Sequence, residues 1–318
     1  MLQKGLCILS CVLITFFCIE VINSKKDTKQ NNIKNIVEKE KEIKTPKGLE
    51  NEEYLFSHKT YDEIIEILKV WESKSPNLID IGTYGKTSKG LDTYYLKVTN
   101  EFDNKDKDVV LLTACIHGNE PWSTSTMLGY MGHLLSKYGE DEKITKILDE
   151  KIIYFIPVVS PDSYGKSRRV DGVDPNRDFP TKDNPDKKSV PPVNNLRNFF
   201  LEIKPNSVLS GHTYGRVYLV PWGDSTKNNP NIDDYKKIAS EMGELSNYRH
   251  QRACELYNRP IYGVEADWYH RNGAFAMVME FGTHQRHPSL NDTKQEFQRT
   301  LDAVLYFIEE SVKVEIKN

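Results

Sequence analysis

The chain has 318 residues, with 43 Lys and Arg against 46 Asp and Glu and a formal net charge of −3. Charge this close to balance gives no bulk attraction to nucleic acid, and the sequence holds no strong basic block, zinc-finger spacing or glycine-rich phosphate loop. A hydrophobic content of 38% over this length supports one large domain or two small ones.

Lys4 precedes an apolar run over 5–18, and Glu20, Asn23 and Ser24 follow. This order of charged, apolar and small-residue segments predicts that 1–24 is a signal peptide or N-terminal anchor. The run is short for a span of about 20 apolar residues. Phe17 before Cys18 argues against lipid attachment there, and Cys11 sits too early. Export is expected, secreted or periplasmic, with tethering by an uncleaved leader as the alternative. Cys7, Cys11 and Cys18 lie in this leader, which leaves Cys115 and Cys254 as two thiols or one disulfide. Residues 25–53, rich in Lys, Glu and Asn, read as a charged flexible spacer.

Order is expected over 54–315. Tyr61, Ile64, Ile65, Ile67, Leu68 and Trp71 give 60–73 a helical face. Strands are expected at 78–83, 93–98 and 108–115, then a helix at 121–137 with Pro121 in its first turn. A strand at 151–159, a helix at 192–203 and strands at 208–211 and 217–220 follow. A helix at 232–246, an apolar strand at 274–281 and a last helix at 290–312 complete the chain. The alternation predicts an α/β fold, a mixed central β-sheet flanked by helices on both faces. Such sheets bind ligands beyond the carboxyl ends of their strands.

His117 and Glu120 stand three residues apart just after the apolar strand that begins at Asp108, close enough to chelate one ion from a tight turn. Zinc accepts imidazole and carboxylate together, and a catalytic zinc takes three protein ligands and leaves a position open. His212, at the end of another apolar stretch, supplies the third candidate. The remaining histidines lack this context. Glu280 closes the uncharged stretch 274–279. A carboxylate beside a buried strand is costly without a partner or a job. Alone it reads as a salt-bridged core residue. Beside a zinc site it reads as a general base for water.

The ordered set His117-Gly-Asn-Glu120, Asp174-Pro-Asn176-Arg177, Gly211-His212-Thr-Tyr214, Ile261-Tyr262 and Met279-Glu280 resembles the metallocarboxypeptidases of the M14 family, the relatives of carboxypeptidase A. The resemblance spans about 54–315. It implies one zinc ion on His117, Glu120 and His212, with Glu280 activating water and passing its proton to the leaving amine. It implies that Asn176, Arg177 and Tyr262 hold the substrate's terminal carboxylate, and that Asp174 orients His117. Arg offers a planar bidentate fork for that carboxylate. Without the zinc residues, Arg177 would read as a surface partner of Asp174 or Asp178. The family's second arginine, which stabilises the oxyanion, matches Arg168, with Arg169 as the alternative.

Asn119 replaces the arginine that digestive members carry between the zinc ligands. No propeptide of their length is expected, so activity needs no processing beyond signal removal. The side-chain pocket is expected around Glu265-Ala266-Asp267-Trp268. Ala266 at its floor leans towards neutral or bulky C-terminal residues, while Glu265 and Asp267 keep a basic preference open. The resulting expectation is a monomeric exopeptidase acting on peptide or protein C-termini, with no nucleic-acid partner. A murein-peptide carboxypeptidase or amidase of the same family, and a non-catalytic peptide-binding pseudoenzyme, are the alternatives.

Overall fold

A computed structural model describes residues 52–102, 106–283 and 288–317. The expected leader and all but the last two spacer residues lie outside them. Helix α1 (Glu52–Phe56) starts two residues ahead of the expected onset of order. Thr60 then caps α2 (Tyr61–Lys74). Its hydroxyl accepts from the Glu63 amide and the Glu63 carboxylate accepts from the Thr60 amide, which fixes the helix start. β1 (Ile79–Lys86) and β2 (Asp92–Val98) pair antiparallel, and β3 (Asp108–Ala114) leads to α3 (Pro121–Lys137). Pro121 sits in the first turn, where a missing N–H costs nothing. α4 (Glu142–Glu150) was not anticipated, although Ile144, Ile147 and Leu148 form a buried stripe at helical spacing. β4 (Lys151–Ile156) stops short of the expected residue 159, because Pro157 has no N–H for the ladder.

The second half runs α5 (Pro191–Ile203), β5 (Ser207–Thr213), β6 (Val217–Val220), α6 (Ile232–Ser246), β7 (Arg249–Arg252), α7 (Ala253–Leu256), α8 (Glu265–Arg271), β8 (Phe275–Phe281) and α9 (Leu290–Glu310). β7, α7 and α8 were not anticipated. β7 reads Arg-His-Gln-Arg because it lies at the sheet edge and owes the core no apolar face. α9 gives way to a 3-10 turn at Ser311–Lys313, where a continuous helix to 312 was expected.

The strands form one sheet in the order β1-β2-β4-β3-β5-β8-β6-β7. β4, β3, β5 and β8 are parallel neighbours, flanked by antiparallel β2 and β6. This is the expected mixed sheet. Parallel central strands covered on both faces read as unbroken apolar runs, and alternate residues serve opposite cores. Leu112, Leu209 and Met277 join Leu68, Leu128, Ile147, Ile238 and Val304 from α2, α3, α4, α6 and α9. Leu111, Val208 and Ala276 join Phe199 of α5 and Tyr269 of α8 on the other face. Among the described residues no helix is long and apolar enough to cross a membrane.

Leu209 is fully buried on β5, between β3 and β8. Leu209→Ala is expected to cost about 2–5 kcal/mol. Urea unfolding should show a lower midpoint at unchanged slope.

Candidate active site

β3, β5 and β8 are parallel neighbours, so their carboxyl ends open side by side, and His212 lies in register opposite Glu280. Beyond Ala114 the chain reverses sharply through Cys115, whose φ of 55° is left-handed. A Cβ on Gly118 would sit 2.3 Å from the Ser163 backbone, so only glycine allows the turn to pack there. The turn is closed by the Glu120 amide donating to the His117 carbonyl at 3.1 Å. Glu120 occupies the cap position of α3, yet its carboxylate makes no capping bond. It points instead at the two histidines.

His117 Nδ1 lies 2.9 Å from Glu120 Oε1, and His212 Nδ1 lies 3.1 Å from Oε2. The Thr213 amide donates to the same Oε2 at 3.2 Å. All three side chains are buried, and one ligand atom from each falls within 4.8 Å of the others. Tetrahedral zinc sets neighbouring N and O ligands about 3.3 Å apart, so the donor set and its spacing fit that ion. Each histidine turns its other nitrogen to a carboxylate, as metal-bound imidazoles do. His117 Nε2 meets Asp174 Oδ1 at 3.0 Å, and His212 Nε2 meets Glu265 Oε1 at 2.7 Å. The Asp174 contact follows the sequence expectation. The Glu265 contact does not, because nothing in spacing alone links residues 53 apart in the chain.

Burial alone would raise the Glu120 carboxyl, but His117 and His212 outweigh it and hold it well below the usual carboxylate range. Burial would likewise raise Asp174, yet His117 and Arg168 hold it well below. Burial would lower His212, but hydrogen bonds to Glu120 and Glu265 lift it well above an ordinary histidine. The proton so favoured on His212 stands where a cation would. Glu280 touches the cavity with part of its surface, but protein surrounds its carboxyl and burial pushes it up to about 7. His212 and then Glu120 modify that shift in opposite senses.

A cavity of about 210 Å³ opens above the cluster and is lined by its residues together with Glu280, Arg168, Asn176 and Arg177. Arg168 reaches the site, with Nε donating to Asp174 at 2.9 Å and Nη1 to Glu120 at 3.4 Å. Arg169 turns away and donates to the Gly172 carbonyl. Asp178 pairs with Lys187, and Asp174 with His117 and Arg168, so neither carboxylate offered by the sequence engages Arg177. Its guanidinium donates to the Asn176 carbonyl and lies over Tyr257. Tyr262 departs from expectation. It is 55% exposed and lines a neighbouring cleft beside Trp222, outside this cavity.

Ala266 lines the cavity as expected. Glu265 and Asp267, which kept a basic preference open, are both hydrogen-bonded, and Asp267 also lines the cavity. Glu265 accepts from His212 and Ser210, and Asp267 accepts from the Gly223 and Asp224 amides at 2.8 and 2.9 Å. Cys115 and Cys254 are both buried free thiols. His284 and His287 lie outside the described residues.

The family model described as zinc carboxypeptidase matches residues 64–300. This chain belongs to the zinc carboxypeptidase family. Among its curated relatives, human mast cell carboxypeptidase A is 22% identical over 251 residues, covering 66% of this chain and 59% of that protein. The Saccharomyces cerevisiae protein named inactive metallocarboxypeptidase ECM14 is 31% identical over 109 residues, covering 34% of this chain and 25% of its own length. The chain thus matches less than two thirds of either relative. The crystal structure of thrombin activatable fibrinolysis inhibitor superposes with a TM-score of 0.75 at 19% identity, covering 82% of this chain and 76% of that one. That likeness establishes the carboxypeptidase fold.

Burial, then the neighbouring Asp224 carboxylate, push Asp267 up to about 7, against the two backbone amides and Arg271. A carboxyl raised on folding adds stability that is complete below the unfolded value of about 4 and is lost as pH rises through 7. Asp267→Asn should therefore flatten part of the fall in unfolding free energy between those values. Urea titrations across that range check it, and an unchanged slope contradicts it.

Proposed function

We propose that the chain is a zinc-dependent carboxypeptidase that removes one residue from the C-terminus of peptides, favouring neutral, apolar side chains. One observation carries this reading: Asn176 and Arg177 line the same cavity as His117, Glu120, His212 and Glu280. Arg168 already serves the carbonyl oxygen, so a second guanidinium with no carboxylate partner among the described residues points to a further anion in the substrate. An exopeptidase must bind a terminal carboxylate there.

Zinc held by His117, Glu120 and His212 would supply Lewis-acid polarisation of water and of the scissile carbonyl. Glu280 takes the water proton and passes it to the leaving amine. A carboxyl poised near neutrality serves both transfers. Arg168 offers N–H groups to the carbonyl oxygen as negative charge gathers on it. Arg177 and Asn176 hold the substrate carboxylate, and Asp174 holds His117 in orientation. Leu219, Val220, Ile261, Val264, Ala266 and Val278 give the cavity wall an apolar stretch, with Thr213, Tyr214, Tyr257 and Asp267 as its further polar members. Glu265 is engaged by His212 and Ser210, and Asp267 by two backbone amides, which supports the neutral preference. Export through residues 1–24 belongs to the same proposal. Recovery of the mature chain in the cytosol contradicts it.

The likeness to a relative named inactive supports a peptide-binding pseudoenzyme as the second reading. A digest of a peptide library with free and amidated C-termini, murein peptides included, separates the readings by mass spectrometry. The carboxypeptidase reading expects release of single apolar residues from free ends only. Equal rates on amidated ends overturn it. Glu280→Gln should lower kcat by about 10²–10⁴-fold while zinc stays bound. Arg177→Ala should chiefly raise KM. Wild-type protein that holds zinc and hydrolyses nothing favours the pseudoenzyme.

A further inference from the structure

Glu265 is fully buried in the first turn of α8. A buried carboxylate costs several kcal/mol unless donors satisfy it, and here the donors are specific. His212 Nε2 lies 2.7 Å from Oε1, and the Ser210 hydroxyl donates to Oε2 at 2.9 Å. Ser210 in turn accepts from the Thr113 hydroxyl at 3.0 Å. Ser210 and His212 are two apart on β5, so they face the same side of the sheet and one carboxylate can gather both. Ser210 has one proton and directs it to Oε2, which leaves that oxygen an acceptor. His212 meets Glu120 through Nδ1 at 3.1 Å, so a proton on Nε2 belongs to the Glu265 bond and Nδ1 is the ligating atom. The backbone amide of Glu265 also donates to Asn176 Oδ1 at 2.9 Å, which leaves the Asn176 amino group for the cavity.

We propose that Glu265 is a positioning residue for zinc. Its carboxylate, accepting from Ser210 and facing His212 Nε2, fixes His212 in the tautomer that ligates through Nδ1, and it strengthens that imidazole as a donor. It does for His212 what Asp174 does for His117, at a shorter distance and with less exposure to water. The inference rests on the zinc reading above. It goes further by assigning to metal binding a residue that sequence placed in the side-chain pocket.

Glu265→Gln tests the charge with little change of shape, since its carbonyl oxygen still accepts from His212. The zinc dissociation constant, read by competition with a chromogenic chelator, should rise about 10–100-fold. The visible spectrum of the cobalt-substituted variant should shift, a change that a purely structural role would not cause. Should Glu265→Gln fail to fold, Ser210→Ala removes one donor to Glu265 and leaves His212 untouched. It should weaken zinc in the same direction, by less. Wild type that binds zinc, with variants of equal affinity and unchanged cobalt spectra, overturns this proposal and leaves the zinc reading standing. Wild type that binds no zinc overturns both.

Discussion

Four carboxylates, from Glu120, Asp174, Glu265 and Glu280, are gathered around two buried imidazoles at the ends of three parallel strands. Burial penalises the charge on Glu120, Asp174 and Glu280 alike. Such a cluster needs positive charge at its centre, whether a proton on His212 with Arg168 beside it or a divalent cation. The fold serves that need. Parallel β3, β5 and β8 bring residues distant in sequence to one edge. The left-handed Cys115 and the close-packed Gly118 turn His117 and Glu120 inward together. Glu120 gives up helix capping to face the histidines.

Two short segments tie this centre to the rest of the cavity. In 174–177, Asp174 holds His117, Asn176 accepts from the Glu265 amide, and Arg177 is left without a carboxylate partner among the described residues. In the first turn of α8, Glu265 holds His212, Ala266 lines the cavity, and Asp267 ties down the 223–224 backbone. Metal ligands, carboxylate anchor and cavity wall therefore share supports. A shift of α8 would disturb all three together, which is how a small pocket keeps its geometry.

The central strands were legible because apolar runs covered on both faces leave a strong signal, and the polar residue after each run stood out for that reason. His117, Glu120, His212 and Glu280 were all marked this way. Weaker elements were not. The polar edge strand β7 has no core face to betray it, and α8 is a short helix with no exposed side for periodicity to mark. α4 was missed although its stripe of Ile144, Ile147 and Leu148 was readable. Glu265 was seen only as a pocket charge, because a partner 53 residues away appears only when α8 packs on β5. The choice between Arg168 and Arg169 was likewise a matter of direction. The chain order is the same for both, and only one reaches Asp174 and Glu120. Tyr262 matched by motif, while its side chain lies in the adjoining cleft.

The central claim is that His117, Glu120 and His212 form a cradle for one zinc ion. X-ray absorption at the zinc edge of the loaded protein tests it most directly. The account predicts one zinc per chain, with two imidazole nitrogens and carboxylate oxygen at about 2.0–2.2 Å and no sulfur. Sulfur ligation, or a shell with fewer than two imidazoles, would contradict it.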